Sequence, residues 1–213
     1  MTVTLYAYQY SVYSWVARLV LQEKSVAYNY VEVNPFAPDT PAEYLLRNPF
    51  RRVPTLVHDE FVLYETGAIT RYIDDVFAGD ALRPADRRSL ARMAQIISII
   101  DAYGYWPMVR QVYSNRIFRP RVGLPVNEDD VRIGIRSAER TVAALEELAH
   151  PHGYLIDTRV SLADLHLAPM IAYFAATDEG RTVLTRHRKL SAWWSLIQTR
   201  PAFAATKPDL PGA

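Results

Sequence analysis

The chain has 213 residues, half of them hydrophobic and 22% charged, with 24 Lys+Arg against 23 Asp+Glu. That length holds one or two globular domains, and a formal net charge of +1 provides no general attraction to nucleic acid or acidic membranes. There is no cysteine, which excludes disulfides, protein thiolate nucleophiles and cysteine-type zinc sites.

The opening MTVTLYAYQY lacks the basic start and apolar run of a secretory signal. No apolar stretch is long enough to span a bilayer, so the expectation is a cytoplasmic protein with no membrane partner. Residues 2–8 are rich in β-formers and predict a strand. Val16, Leu19, Val20 and Glu23 then recur at helical spacing over 14–23. Alternation over 26–33 predicts a second strand, so the start of the chain reads as a βαβ unit. A proline-rich loop follows, holding a short helix at 42–47 with Pro41 suited to its start.

The stretch NPFRRVPTLV, residues 48–57, is a strand with a proline inside it. Proline has no N–H for a sheet ladder, so Pro54 belongs at a strand start or an edge. HDE is a turn short enough for a hairpin, FVLY is the next strand, and residues 65–77 carry a helical apolar stripe. Residues 79–86 read as a linker between a domain at 1–78 and a second at 87–213.

Beyond the linker, strand signals nearly vanish. Residues 87–105 predict a helix with Met93, Ile96, Ile97 and Ile100 on one face, and Gly104 with Pro107 predicts a bend. The basic cluster RIFRPR at 116–121 reads as a solvated helix end, not a nucleic-acid patch. A long helix follows Asn127, its expected cap, with Asp130 placed to complete a capping box. Ser161 and Asp164 make a second capping box, for a helix over 162–175, and a last helix lies near 189–199. Asp164 is expected to be buried and bonded to backbone. His166 is expected to be packed in the domain, and no cluster of ligating residues points to a metal.

Three motifs, NPFRRVPTL, LYETGAITRYID and VSLADLHLAP, stand in this order in a β-α-β-α-β-β-α chain followed by helices. Together they resemble the cytosolic glutathione transferase superfamily, over nearly the whole chain. The resemblance implies an α+β thioredoxin-like N-terminal domain with a four-stranded mixed sheet, and an all-α C-terminal helical bundle that forms a hydrophobic substrate pocket. It implies glutathione as cofactor and a cis bond before Pro54. The backbone of Val53 would then meet the tripeptide as an added strand, and Arg52 its glycyl carboxylate. Thr66 would take the γ-glutamyl carboxylate at a helix start, and Glu65 its ammonium.

A free thiol has a pKa near ~8.5, so lowering it by about 2 units needs roughly 2.7 kcal/mol of thiolate stabilisation. In the register set by Ser14, Trp15 and residues 17–19, Ser11 lies where serine-type relatives carry the hydroxyl that bonds the sulfur. Ala7 occupies the tyrosine-type position and Tyr13 the cysteine-type one. Ser11 is equally placed to cap the first helix, and Tyr6, Tyr8, Tyr10, Tyr13 and Ser14 crowd the same loop. Tyr10, Tyr103, Trp106 and Arg110 are candidates for the hydrophobic electrophile, in a pocket expected between the domains. The implied activity is transfer of glutathione to such electrophiles, in a homodimer. Glutathione-dependent isomerisation or dehalogenation, and a non-catalytic glutathione-binding or chaperone-like role, are the alternatives.

Overall fold

The computed structural model describes residues 2–38 and 40–209. Residues 1, 39 and 210–213, which the expected domain bounds include, lie outside the described residues. The chain forms two compact units, the first made of residues 1–81 with 201–208 and the second centred on 82–200.

In the first unit, strand β1 (Val3–Ala7) leads through helix α1 (Val12–Glu23) to strand β2 (Asn29–Glu32). Helix α2 (Ala42–Arg47), the hairpin of β3 (Thr55–His58) and β4 (Phe61–Tyr64), and helix α3 (Thr66–Val76) follow. The strand order is β2-β1-β3-β4. The β1–β2 pair is parallel, its strands joined by the crossover through α1, and the β1–β3 and β3–β4 pairs are antiparallel, the last a hairpin. Val3, Leu5 and Ala7 bury one face of β1, and α1 covers the core with Trp15, Val16, Leu19 and Val20.

The second strand is shorter than its alternation predicts. Only Thr4 to Ala7 of β1 pair with it, and Ser25, at φ 53°, with Val26 bonded through its N–H to Leu21 O, still belongs to the exit of α1.

The domain bounds need one correction. Residues 201–208 were expected in the helical domain, but they pack with the first unit. Helix α10 (Pro201–Thr206) places Thr206 Oγ1 3.0 Å from the indole Nε1 of buried Trp15, which donates to it, and Phe203 lies with its ring 5.1 Å from that of Trp15. A buried tryptophan N–H needs a partner, and Thr206, 191 positions along the chain, provides it. The linker is fastened too. Buried Lys24 reaches Asp74 Oδ1 at 3.3 Å and the carbonyls of Gly79 and Asp80 at 3.3 and 3.1 Å.

The second unit is helical. Helix α4 (Arg87–Ile99) is capped by Asp86 and continues past the predicted end at residue 105. It runs on through wide turns over Ile100–Gly104 and Trp106–Phe118 to α5 (Arg119–Arg121). Tyr105 N–H bonds to Ile100 O and Arg119 N–H to Ser114 O, five residues back in each case. Pro107 has no N–H to continue an i→i−4 ladder, and a shift to i→i−5 bonding lets the helix carry on.

Helix α6 (Glu128–Leu148) crosses this segment closely. A Cβ on Gly134 would lie 2.7 Å from Gln111 Cβ and 3.1 Å from Pro107 O. Asn127 caps α6 as expected, accepting from the N–H groups of Asp129 and Asp130 at 3.1 Å. Asp130 does not complete the box, because Asn127 N–H donates to Asn115 Oδ1 at 2.9 Å instead. Helix α7 (Leu162–Ala175) forms the core, and α8 (Asp178–Thr185) and α9 (Arg188–Ile197) close the unit.

Candidate active site

Three segment ends of the first unit carry the expected site residues. The first is residues 48–55. Ladder pairing begins at Thr55, which faces Tyr6 on β1 and Tyr64 on β4. Pro54 therefore stands just before the strand, where its missing N–H breaks no bond. The Val53–Pro54 peptide is cis. Pro54 is buried, Val53 half-buried and Arg52 exposed.

The second is the start of α3. Glu65 is held at φ 71° and ψ 115°, a conformation few non-glycine residues adopt and one that clusters at ligand sites. Its carbonyl accepts from Ala68 and Ile69 N–H at 3.0 and 2.9 Å. No side chain caps the helix, so the N–H groups of Thr66 and Gly67 lead it without a side-chain acceptor. Thr66 is buried, Glu65 is exposed, and a Cβ on Gly67 would meet nothing within 4 Å. An open, uncapped helix start fits a carboxylate.

The third is the β1–α1 loop. Ser11 N–H donates to Tyr8 O at 2.9 Å, and Ser11 Oγ accepts from Ser14 N–H at 3.2 Å. Ser11 therefore caps α1, the structural role anticipated for it. An N-cap oxygen uses a lone pair, so the hydroxyl proton remains available to donate. Ser14 is buried and its Oγ accepts from Tyr8 N–H at 3.2 Å, which ties it into the loop. Glu32 steadies the other side by accepting from Gln9 N–H at 3.2 Å. Burial, then the charge of Glu32, then Tyr10 push the Tyr8 phenol above its ordinary range, so Tyr8 stays neutral there. Tyr10 is half-buried, its ring 5.6 Å from that of Tyr8.

The remaining candidates lie on the wide-turn segment of the second unit. Tyr103 and Trp106 are 66% and 60% exposed, an unusual surface for aromatic rings within a helix. Exposed Arg110 lies over the Trp106 ring at 5.9 Å from its centroid. His166 is buried and bonds through Nε2 to Asp101 Oδ1 at 2.8 Å. Asp164 is fully buried. Burial pushes its carboxyl up, against the N–H groups of Leu155 and Ser161, the Ser161 hydroxyl and the Trp193 indole, which all donate to it. Among the described residues no group of three or more His, Asp or Glu is placed to hold a metal.

Sequence reasoning missed the buried polar set beneath the first segment. Tyr44 Oη donates to Arg52 O, Asn48 Nδ2 donates to the same carbonyl at 3.0 Å, and both side chains meet Thr55 Oγ1, at 3.0 and 3.2 Å. The signal available was a polar residue at each of 48 and 55 flanking the proline.

A β-α-β-α-β-β-α sheet unit followed by a helical unit defines a thioredoxin-like domain joined to an all-helical one. Residues 1–75 match the family model of the glutathione S-transferase N-terminal domain, and residues 128–193 that of the C-terminal domain. Glutathione S-transferase F13 from Arabidopsis thaliana is 31% identical over 196 residues, covering 90% of this chain and 89% of the relative. The solved structure of an apo glutathione S-transferase III superposes with a TM-score of 0.86 at 26% identity, over 99% of this chain and 98% of that one. The β-etherase LigF from Sphingobium sp. strain SYK-6 gives 0.81, also at 26%, over 97% and 98%. The chain belongs to the glutathione S-transferase family.

Proposed function

We propose that this glutathione transferase activates the thiol of glutathione through Ser11 and delivers it to a hydrophobic electrophile. The observation that carries the reading is the Ser11 geometry: its oxygen accepts from Ser14 N–H at 3.2 Å, so its proton is free to stabilise a thiolate beside the start of α1. A hydrogen bond to an anionic acceptor at a helix N-terminus is among the strong ones. The backbone of Val53 takes the cysteinyl part of the tripeptide and Arg52 the glycyl carboxylate. The leading N–H groups and hydroxyl of Thr66 take the γ-glutamyl carboxylate, with Glu65 on the ammonium.

Tyr10, Tyr103, Trp106 and Arg110 receive the electrophile, and the exposed aromatic rings of the wide-turn segment support that role. The likeness to a β-etherase favours a second reading, in which the electrophile is an ether. A homodimer, a cytoplasmic setting and a part in detoxification rest on the family resemblance. No helix among the described residues is long and apolar enough to cross a membrane.

The test is Ser11→Ala, assayed with an aryl halide and with a model aryl ether, alongside the pKa of bound glutathione read from thiolate absorbance. The expected outcome is a fall in kcat of about 10- to 100-fold and a rise in the thiol pKa of about 1–2 units, one unit being worth 1.36 kcal/mol. Glutathione affinity should stay within a few-fold. Unchanged turnover and unchanged thiol pKa overturn the assignment.

A further inference from the structure

We propose that Tyr44, Asn48 and Thr55 are positioning residues that aim the Val53 N–H at glutathione, an inference that rests on the functional reading above. The argument is a hydrogen count. Tyr44 Oη has one proton, which goes to Arg52 O. The Thr55 hydroxyl, 3.0 Å away, must then give its own proton to Tyr44 Oη. Asn48 Nδ2 has two protons, one for Arg52 O at 3.0 Å and one for Thr55 Oγ1 at 3.2 Å. Asn48 Oδ1 accepts from Phe50 N–H at 3.1 Å, which fixes which way the amide faces. Every side-chain proton in the ring is used, and both lone pairs of the Arg52 carbonyl are filled.

The ring is nearly dry, with Tyr44 and Asn48 2% exposed and Thr55 fully buried. A buried polar ring of this kind has low tolerance for any other arrangement, since one broken bond strands a desolvated partner. It therefore holds the Arg52 carbonyl pointing inward. The Arg52–Val53 peptide is trans, the only cis bond among the described residues being the next one. In a trans peptide the C=O and the following N–H point in opposite directions. Anchoring Arg52 O inward therefore turns Val53 N–H outward, ahead of the first ladder pair at Thr55, where an extended peptide can accept from it.

Two measurements test this. In the unaltered protein, the Val53 amide should exchange rapidly when free and at least ten-fold more slowly with glutathione or S-methylglutathione. Slow exchange in the free protein overturns the inference. Tyr44→Phe and Thr55→Val should each raise the Kd for both tripeptides about 5- to 20-fold by calorimetry. Under saturating glutathione, kcat and the KM for the electrophile should stay within two-fold, and Thr55→Ser should restore affinity. If the unaltered protein binds glutathione and the variants bind it equally well, the ring is merely structural and this inference fails alone. If the unaltered protein does not bind glutathione, the functional reading fails and takes the inference with it.

Discussion

Two buried polar centres, one in each unit, solve the same problem to different ends. In the helical unit, Asp164 gathers four donors from Leu155, Ser161 and Trp193, and nothing in that set faces outward. In the first unit, Tyr44, Asn48 and Thr55 converge on one carbonyl whose peptide partner, Val53 N–H, faces the other way. Both satisfy every group they bury, as low-dielectric interiors demand. The difference is what lies on the far side of the network. Around Asp164 it is more core. Beyond Arg52 it is the segment that leads into β3, ahead of the first ladder pair at Thr55.

If that contrast holds, breaking the first centre costs stability alone and breaking the second costs affinity. The largest effect is expected for Asp164→Ala, which strands several buried donors at once and should lower stability by about 3–5 kcal/mol. At a temperature where the variant stays folded, its Kd for glutathione should match that of the unaltered protein. A loss of affinity there would erase the distinction.

A smaller effect is expected at Gly134, where the new methyl group would press on Gln111, Val112 and the Pro107 carbonyl. Gly134→Ala should cost about 1–3 kcal/mol by denaturant unfolding. It should also raise the KM for the electrophile more than that for glutathione, since the crowded turn adjoins Trp106 and Arg110. Equal shifts in both constants would disconnect the wide-turn segment from the electrophile.

The smallest effect is expected at the exposed α4 cap. The Ser89 hydroxyl and the Ser89 and Arg88 N–H groups hold the Asp86 carboxyl below its usual range. A depressed folded pKa stabilises the fold above the unfolded value and stops doing so as pH falls through the folded one. Asp86→Ala should therefore lower Tm slightly at neutral pH, and the gap from the unaltered protein should close on acidification. A gap that persists in acid would mean the cap acts without its charge.

Signals written within a few residues were readable in the sequence. Pro54 marks a strand start because its ring and missing N–H act locally. Ser161 and Asp164 are three residues apart and declare a capping box. Ser11, Glu65 and Thr66 stand at the starts of helices, where their short motifs place them. Features decided by distant packing were not readable. Asn115 supplies the acceptor that Asp130 was expected to give, from 12 residues upstream on another helix. The wide turns depend on how α6 meets the segment around Pro107. Helix α8 was missed although Thr177 accepts from Gly180 N–H and Asp178 and Glu179 fill its first turn, because eight residues give little periodicity to count. The Tyr44–Asn48–Thr55 ring escaped because hydrogen-bond closure is a three-dimensional property.

The bond from Trp15 to Thr206 joins residues 191 positions apart. On the ribosome, the first 81 residues emerge long before the helix that finishes their core. Until residues 201–206 appear, Trp15 has neither its hydroxyl acceptor nor the Phe203 ring beside it. The sheet can form early, but the face of α1 that carries Trp15 has to wait for the whole helical unit to be synthesised. For that reason the sheet-bearing unit completes its packing last, although most of it is made first.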